Sequence, residues 1–377
     1  MDRQNRELRS LIEPDGRLRL WLENTPMNAP GAGEIVVRVE AAPLNPSDLL
    51  LLLGPADPGS LRQAGQPHRP MVEGEVPREL LPGITGRLGQ ALPVGNEGAG
   101  TVIAAGLGAE ALIGRTVAIR GAPGTYAAYQ TVRATDALIL PDGVSARDGA
   151  SAFINPLTAL GMVETMRREG HHALVHTAAA SNLGRMLNRL CRADGVPLVN
   201  IVRRPEQVDL LRSEGAAHVL DSSAPAFADA LRTALEATGA TLAFDAIGGG
   251  TMAATILAAM EAVAARRLPV YSRYGAPTPK QVYIYGMLDP GPRVLEGQFG
   301  MAWSVGGWLM TWFYDRLDEA DAGRLRERAA AELLTTFASS YTGEIGLAEL
   351  LSPDSLRTCT RRATGAKFLI APSRDLA

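Results

Sequence analysis

The stretch HTAAASNLGRML, residues 176–187, follows an apolar run at Ala173, Leu174 and Val175 and opens a helix-like segment. A turn from strand into helix is where a dinucleotide's pyrophosphate binds, because backbone N–H groups and the helix dipole both favour an anion there. The usual loop carries three glycines. Here the three positions read Ala179, Ser181 and Gly184. Alanine and serine are the next smallest side chains, a serine hydroxyl can donate to phosphate, and Gly184 stands where helix and strand pack closely. Taken alone, the stretch fits a plain strand-to-helix turn of another α/β protein equally well. Two neighbours add weight to the cofactor reading. The run VPLVNIV ends in Arg203 and Arg204, where an acidic residue would hold the ribose 2′-hydroxyl of NAD. Guanidinium forks match a 2′-phosphate instead, which points to NADP. The plain alternative is a solvated basic pair, although a helix N-terminus is a poor place for unaccompanied cations. A later run, FDAIGGG, sets a glycine turn that includes Gly248 at the carboxyl end of another strand, the edge at which such sheets bind ligands.

These residues need a scaffold, and the apolar pattern supplies one. Residues 1–50 alternate with period two, as in RLRLWLENTP and EIVVRVEAAPL, and short strands separated by glycine turns return from VGNEGAG onward. Between them, residues 54–92 are rich in proline and glycine with weak periodicity and read as a long loop or excursion. From about residue 145 strands and helices alternate: HALVHTA, LGRMLNRLCRAD, VPLVNIV, PEQVDLLRSEG, AHVLD, AFADALRTALEATG, TLAFDAIG and KQVYIYG. That alternation predicts a parallel sheet with crossover helices. A helix is expected over 321–338 and a last strand at AKFLIAP.

The chain has 377 residues, enough for two cores. It is 46% hydrophobic and 20% charged with a net charge of −3, so neither nucleic acid nor an anionic membrane is favoured as a partner. Cys191 and Cys359 stand far apart and suggest neither a disulfide framework nor a cysteine-based zinc site. The polar start is unlike a signal peptide, the apolar runs are shorter than a membrane span, and the cytoplasm is the expected compartment.

In this order, VVRVEAAPLNPSDLL, PVGNEGAG, GTYAAYQTV, NPLTALGM, AAASNLG, FDAIGG, VYIYGML, GGWLMTWFY and GAKFLI resemble the medium-chain dehydrogenase/reductase superfamily over most of the chain. The resemblance implies an α/β fold: a Rossmann doubly wound parallel sheet plus a GroES-like β-barrel domain. The expected divisions are 1–145 for the GroES-like catalytic domain, 146–339 for the NADP-binding Rossmann domain, and 340–377 for a return to the first domain. Zinc alcohol dehydrogenases of this superfamily carry cysteine and histidine ligands where this chain reads PLNPSD and GNEG. Asn45 and Asn96 are poor zinc ligands by comparison, and His68 has no partner at useful spacing, so no metal is expected. The resemblance narrows to the zinc-free branch of NADPH:quinone oxidoreductases and enoyl-thioester reductases. Enoyl-thioester reductases place a proton-donating tyrosine shortly after NPSD. Here that region reads LLLLLGPADPGS, and a donor would have to come from elsewhere, such as Tyr126 or Tyr285.

The resemblance also implies roles. Asn45 would sit near the nicotinamide and orient substrate, and Asp48 would brace its loop. Thr158 would hydrogen-bond the nicotinamide. Ser181, Asn182 and Leu183 would offer backbone N–H groups to phosphate, and Ser222 would reach the adenosine phosphate. Gly286 and Met287 would line the nicotinamide ribose, and Lys367 matches a late basic position of the family. The leucines from Leu49 to Leu53 would either line an apolar substrate pocket or pack in the core. His176 is expected to pack, and Trp303, Trp308 and Trp312 to serve as core or dimer contacts. The expected activity is NADPH-dependent hydride transfer to a quinone or similar conjugated carbonyl acceptor. Enoyl-thioester reduction and non-enzymatic NADPH binding are the alternatives. A homodimer is expected, joined at KQVYIYGML as a sheet edge.

Overall fold

A computed structural model describes residues 4–66, 69–121, 124–360 and 367–374. His68, considered above for metal binding, lies outside the described residues. The chain divides into two compact units, Met1–Ile154 with Arg326–Ala377, and Asn155–Leu325. Relative to the sequence pattern, the first boundary lies later and the second earlier. The short helix Ala146–Gly149 packs on strands of the first unit, which carries the chain past residue 145 before it leaves.

The first unit is built from antiparallel strands whose alternate side chains face one core. One sheet runs Arg62–Gln66, Arg69–Glu75, Arg17–Pro26, Gln4–Ile12 and Leu92–Pro93. The other runs Leu138–Ile139, Thr116–Arg120, Glu97–Ala105, Glu34–Pro43, Phe368–Ala371 and Gly343–Gly346, with Tyr129–Arg133 also paired to Glu34–Pro43. Leu8, Ile12, Leu18, Leu20, Ile35, Val37 and Val39 fill the core together with Leu347, Leu350 and Ile370 from the returning segment. The Phe368–Ala371 strand pairs antiparallel with Glu34–Pro43 and parallel with Gly343–Gly346, so the end of the chain completes a sheet begun near its start.

The expectation of a long loop over 54–92 is corrected. Arg69–Glu75 pairs with Arg17–Trp21 and with Arg62–Gln66, both antiparallel. The ladder there is a backbone property, and the outer strand buries none of its five residues, so it leaves no apolar alternation to read.

The second unit holds a six-stranded, wholly parallel sheet. Its strands in chain order are Leu174–Thr177, Leu198–Val202, His218–Asp221, Leu242–Asp245, Lys280–Ile284 and Trp303–Gly307. In space they lie third, second, first, fourth, fifth, sixth. This is the doubly wound dinucleotide-binding order, and its crevice opens at the carboxyl ends of the strands. Val175, Val199, Ile201, Ala243 and Val282 form the buried middle of the sheet. The helix Asn182–Ala193 buries Gly184, Leu187, Asn188 and Cys191, one stripe at helical spacing. KQVYIYG is therefore an interior strand, which corrects its reading as an edge. The edge on that side is Trp303–Gly307, a WSVGG run too short and too glycine-rich to announce itself; His218–Asp221 is the other edge. The glycine run Gly248–Gly250 forms a separate two-stranded ribbon with Asp289–Arg293.

Candidate active site

In the parallel unit, the first five strands end at Thr177, Val202, Asp221, Asp245 and Ile284. Because the strands are parallel, the loop at Ser181, the pair Arg203–Arg204, Ser222, Gly248, Gly286 and Met287 all follow strand ends on one edge of the sheet. Thr158 is buried on the helix Ile154–Arg168.

The loop meets the geometric demands of pyrophosphate binding with one glycine. Ala178 takes φ 51°, a left-handed conformation uncommon for a residue with a side chain, and turns the chain out of the strand. Ser181 caps the helix, its Oγ accepting from Gly184 N at 3.1 Å. The helix begins at Asn182, so its first N–H groups face out of the helix end. A Cβ on Gly184 would stand 2.2 Å from the Ala179 carbonyl oxygen, so glycine is required for helix and loop to touch. A Cβ on Gly248 would meet the Gly286 carbonyl oxygen at 2.5 Å, which brings the fourth and fifth strand ends equally close. Arg203 and Arg204 are exposed, and among the described residues neither guanidinium has a hydrogen-bond or ion-pair partner. Two uncompensated cations at the start of the helix Pro205–Ser213 fit an anionic ligand. These residues together fit a 2′-phosphorylated dinucleotide.

Asp245 holds this edge in shape, a role the sequence reading missed. Its Oδ1 accepts from Thr177 Oγ1 at 2.7 Å and Ile247 N at 2.9 Å, and its Oδ2 from Gly248 N at 3.2 Å. The neighbouring His176 is fully buried, its Nε2 2.7 Å from the Tyr285 hydroxyl with the rings stacked. Burial pushes its pKa down to about 3, so the imidazole is neutral. Trp308 is half-buried, donates its Nε1 to Thr165 Oγ1 at 3.1 Å and meets the Phe244 ring edge-on, whereas Trp303 and Trp312 are exposed, so the core reading fails for those two.

In the β-rich unit, Asn45 caps the helix Pro46–Leu53 and is buried. Its Nδ2 donates to Glu97 Oε1 at 2.9 Å, and Glu97 Oε2 accepts from Phe153 N and Ile154 N at 3.0 and 2.8 Å. This fixes the Asn45 amide. Asp48 braces the loop as expected: Oδ2 accepts from Asn45 N at 2.8 Å, and Oδ1 from Asn96 N and Nδ2 at 2.8 and 2.7 Å. Burial pushes the Asp48 carboxyl up to about 7 against the pull of these donors, and burial raises Glu97 as well. Glu97 lies within the GNEG motif and was overlooked in favour of Asn96.

Lys367 belongs to this cluster. Its Nζ donates to Ser151 Oγ at 2.7 Å, and Ser151 lies 2.8 Å from the Tyr341 hydroxyl. Neither Ser151 nor Tyr341 carried a local sequence signal. Leu49, Leu52 and Leu53 pack in the core, which decides the leucine run against a pocket for those three. Tyr126 is buried with its hydroxyl given to the Pro43 carbonyl at 3.0 Å, so its proton is committed, and the Tyr285 hydroxyl is engaged by His176. Among the described residues, no group of three or more His, Cys, Asp or Glu stands close enough to hold a metal ion. Nor is any helix there long and apolar enough to cross a membrane.

No family model matches the chain. A crystal structure of a candidate NADPH:quinone reductase from Mesorhizobium loti is 26% identical. It matches over 98% of each chain with a TM-score of 0.71. The mycocerosic acid synthase-like polyketide synthase of Mycolicibacterium smegmatis is 27% identical over 252 residues, 66% of this chain but only 11% of that protein. The mitochondrial enoyl-[acyl-carrier-protein] reductase of Bos taurus is 26% identical over 206 residues, 53% of this chain and 48% of that protein. With the parallel-sheet order, the glycine-poor strand-to-helix loop and the antiparallel sheets already described, the chain is similar in sequence and fold to quinone oxidoreductases and enoyl reductases of the medium-chain dehydrogenase/reductase superfamily.

Proposed function

We propose that the protein is an NADPH-dependent oxidoreductase that passes hydride to a quinone or similar conjugated carbonyl acceptor without a catalytic zinc. The observation that carries this reading is the exposed pair Arg203–Arg204, whose guanidinium groups have no partner among the described residues, beside a close-packed strand-to-helix loop. When bound, the cofactor supplies the hydride. The chain's part is to bind, orient and exclude water. Ser181, Asn182 and Leu183 would hold the pyrophosphate from the helix end, and Arg203 and Arg204 the 2′-phosphate, with Ser222 toward the adenosine side. Gly248, Gly286 and Met287 would flank the nicotinamide ribose, with Thr158 on the nicotinamide and Lys367 as a basic contact. Asn45, its amide fixed by Glu97, would orient the acceptor carbonyl. Amide side chains where zinc enzymes carry a thiolate and an imidazole support the zinc-free reading, and stoichiometric zinc with activity lost on chelation would overturn it.

Reduction of an enoyl thioester is the second reading. It is supported by the name of the bovine relative and by Tyr341, a phenol hydrogen-bonded within the polar cluster of the β-rich unit. A homodimer joined at the Trp303–Gly307 edge is part of the proposal, since an uncharged outer strand invites pairing. The deciding experiment measures dissociation constants for NADPH and NADH, then turnover with quinones and enoyl thioesters. Replacing both arginines with alanine is expected to weaken NADPH by roughly 2–4 kcal/mol, about 30- to 700-fold, and to leave NADH nearly unchanged. Equal wild-type constants for the two cofactors would refute the reading. Tight NADPH binding with no acceptor turned over would point to a non-enzymatic NADPH-binding protein.

A further inference from the structure

We propose that Tyr341, Ser151 and Lys367 form a proton-donating triad, in which the Tyr341 hydroxyl supplies the proton the acceptor takes up after hydride transfer. The inference rests on the oxidoreductase reading above and answers the gap left by the tyrosine missing after NPSD.

The three side chains form one chain of contacts. Lys367 Nζ donates to Ser151 Oγ at 2.7 Å, and Ser151 Oγ lies 2.8 Å from Tyr341 Oη. Lys367 Nζ stands 5.5 Å from the centroid of the Tyr341 ring, and the Arg147 guanidinium also lies 5.5 Å from it. Two cations beside one phenol stabilise the phenolate left behind when its proton departs. Lys367 is buried and Tyr341 is half-buried, so the lysine forms the inner end and the phenol the outer one.

Residue choice points the same way. Of the 37 lysines and arginines, only Lys280 and Lys367 are lysine. Lys280 is held in a buried ion pair with Glu261 at 2.7 Å. Among the described residues no carboxylate reaches ion-pair distance of Lys367, whose amine hydrogen-bonds a neutral hydroxyl. An arginine cannot give up its proton at any physiological pH, whereas a desolvated lysine can. Burial pushes Lys367 down to about 8, partly opposed by the charges of Glu97 and Asp48. Burial raises the Tyr341 phenol, opposed by the hydroxyls of Ser151 and Ser339 and by Arg147, while Glu97 adds to the rise. The phenol is thus protonated before it is needed, and the amine can refill it. Arg147 is itself paired with Glu344 at 2.7 Å.

The step balances. The acceptor takes hydride at its β-carbon from the reduced nicotinamide, and its C=C electron pair moves toward the carbonyl to give an enolate. The Tyr341 O–H bond breaks and the proton bonds to the α-carbon. The phenolate then takes the Ser151 proton, Ser151 takes one from the Lys367 ammonium, and the neutral amine is reloaded from water. Tyr341 is the catalytic residue in this scheme. Ser151 and Lys367 act through it.

The test uses the full chain, NADPH and a short trans-2-enoyl thioester. Tyr341→Phe should lower kcat about 100-fold with an unchanged NADPH dissociation constant. Activity in the wild type should fall as pH rises through about 8, and Lys367→Arg, which cannot pass a proton on, should have a lowered kcat without that limb. With only two lysines, 15Nζ-lysine NMR reads Lys367 directly. Its titration should lie near 8 and move in both Tyr341→Phe and Ser151→Ala. A Tyr341→Phe enzyme within threefold of wild type would overturn the proposal, as would a Lys367 that titrates like a free lysine in all three proteins. If the wild type binds NADPH but reduces no acceptor, the oxidoreductase reading fails. That outcome removes the donor role as well, whereas acceptor turnover that survives Tyr341→Phe removes the triad alone.

Discussion

Gly184→Ala offers a direct test of the cofactor loop's packing. In most helices this change is stabilising, by up to about 1 kcal/mol, because alanine loses less backbone freedom. Here the new Cβ would lie 2.2 Å from the Ala179 carbonyl oxygen, 2.6 Å from its carbon and 2.7 Å from its Cα. Ordinary C···O contacts begin near about 3.3 Å, so the overlap is about 1 Å. All three atoms are backbone, and no flexible side chain can swing aside. Forced overpacking of this kind costs about 1–3 kcal/mol, and with rigid partners the upper end applies. Subtracting the helix gain leaves a net loss of about 2 kcal/mol. For a unit the size of Asn155–Leu325 that is a fall in Tm of about 4–8 °C. Gly323→Ala is the matched control. It lies in the helix Glu319–Ala331, and a Cβ there meets nothing within 4 Å, so Tm should rise by about 1–4 °C. Calorimetry of both variants checks the sign without reference to function. Movement of the two Tm values in the same direction would refute the close-packing argument.

Glu261→Ala should destabilise the protein by about 3–5 kcal/mol, because it strands the Lys280 ammonium in the interior; urea unfolding measures this, and adding Lys280→Met should recover much of the loss. His176 is protonated near pH 6.5 when unfolded and near 3 when folded. Stability is therefore full above about pH 6.5 and is lost as pH falls toward 3, and Tm against pH should show a shallower acid slope in His176→Phe. Glu97→Gln sets an amide –NH2 donor against N–H donors that now find a carboxylate. The kcat/KM for acceptor should fall about tenfold while NADPH affinity, measured by fluorescence titration, stays constant.

The parallel sheet was legible because its strands are buried on both faces and alternate with helices of clear period. Arg62–Gln66 and Arg69–Glu75 were not, because the outer strand buries no residue and the pairing runs through backbone groups common to every residue. The edge strand beside KQVYIYG was missed for a related reason: five residues with two glycines carry too little side-chain pattern to outweigh the more apolar run. In the site, Asn45 and Asp48 could be singled out because they share one short motif. Tyr341 could not. It joins Ser151 across 190 positions only because the returning segment pairs beside Glu34–Pro43, and no local spacing records that register.

The distribution of lysine has a consequence for the outer surface. Both lysines are interior, and every other side chain counted as positively charged at pH 7 is an arginine. Guanidinium groups keep their charge to pH 12 and beyond. The guanidinium charge shown to solvent is therefore fixed across the whole range in which enzymes are handled. Reagents that acylate amines, whether cross-linkers or acetyl donors, find no lysine on that face. Mild acylation of the folded protein that nonetheless reached Lys367 would report an opening of the interior.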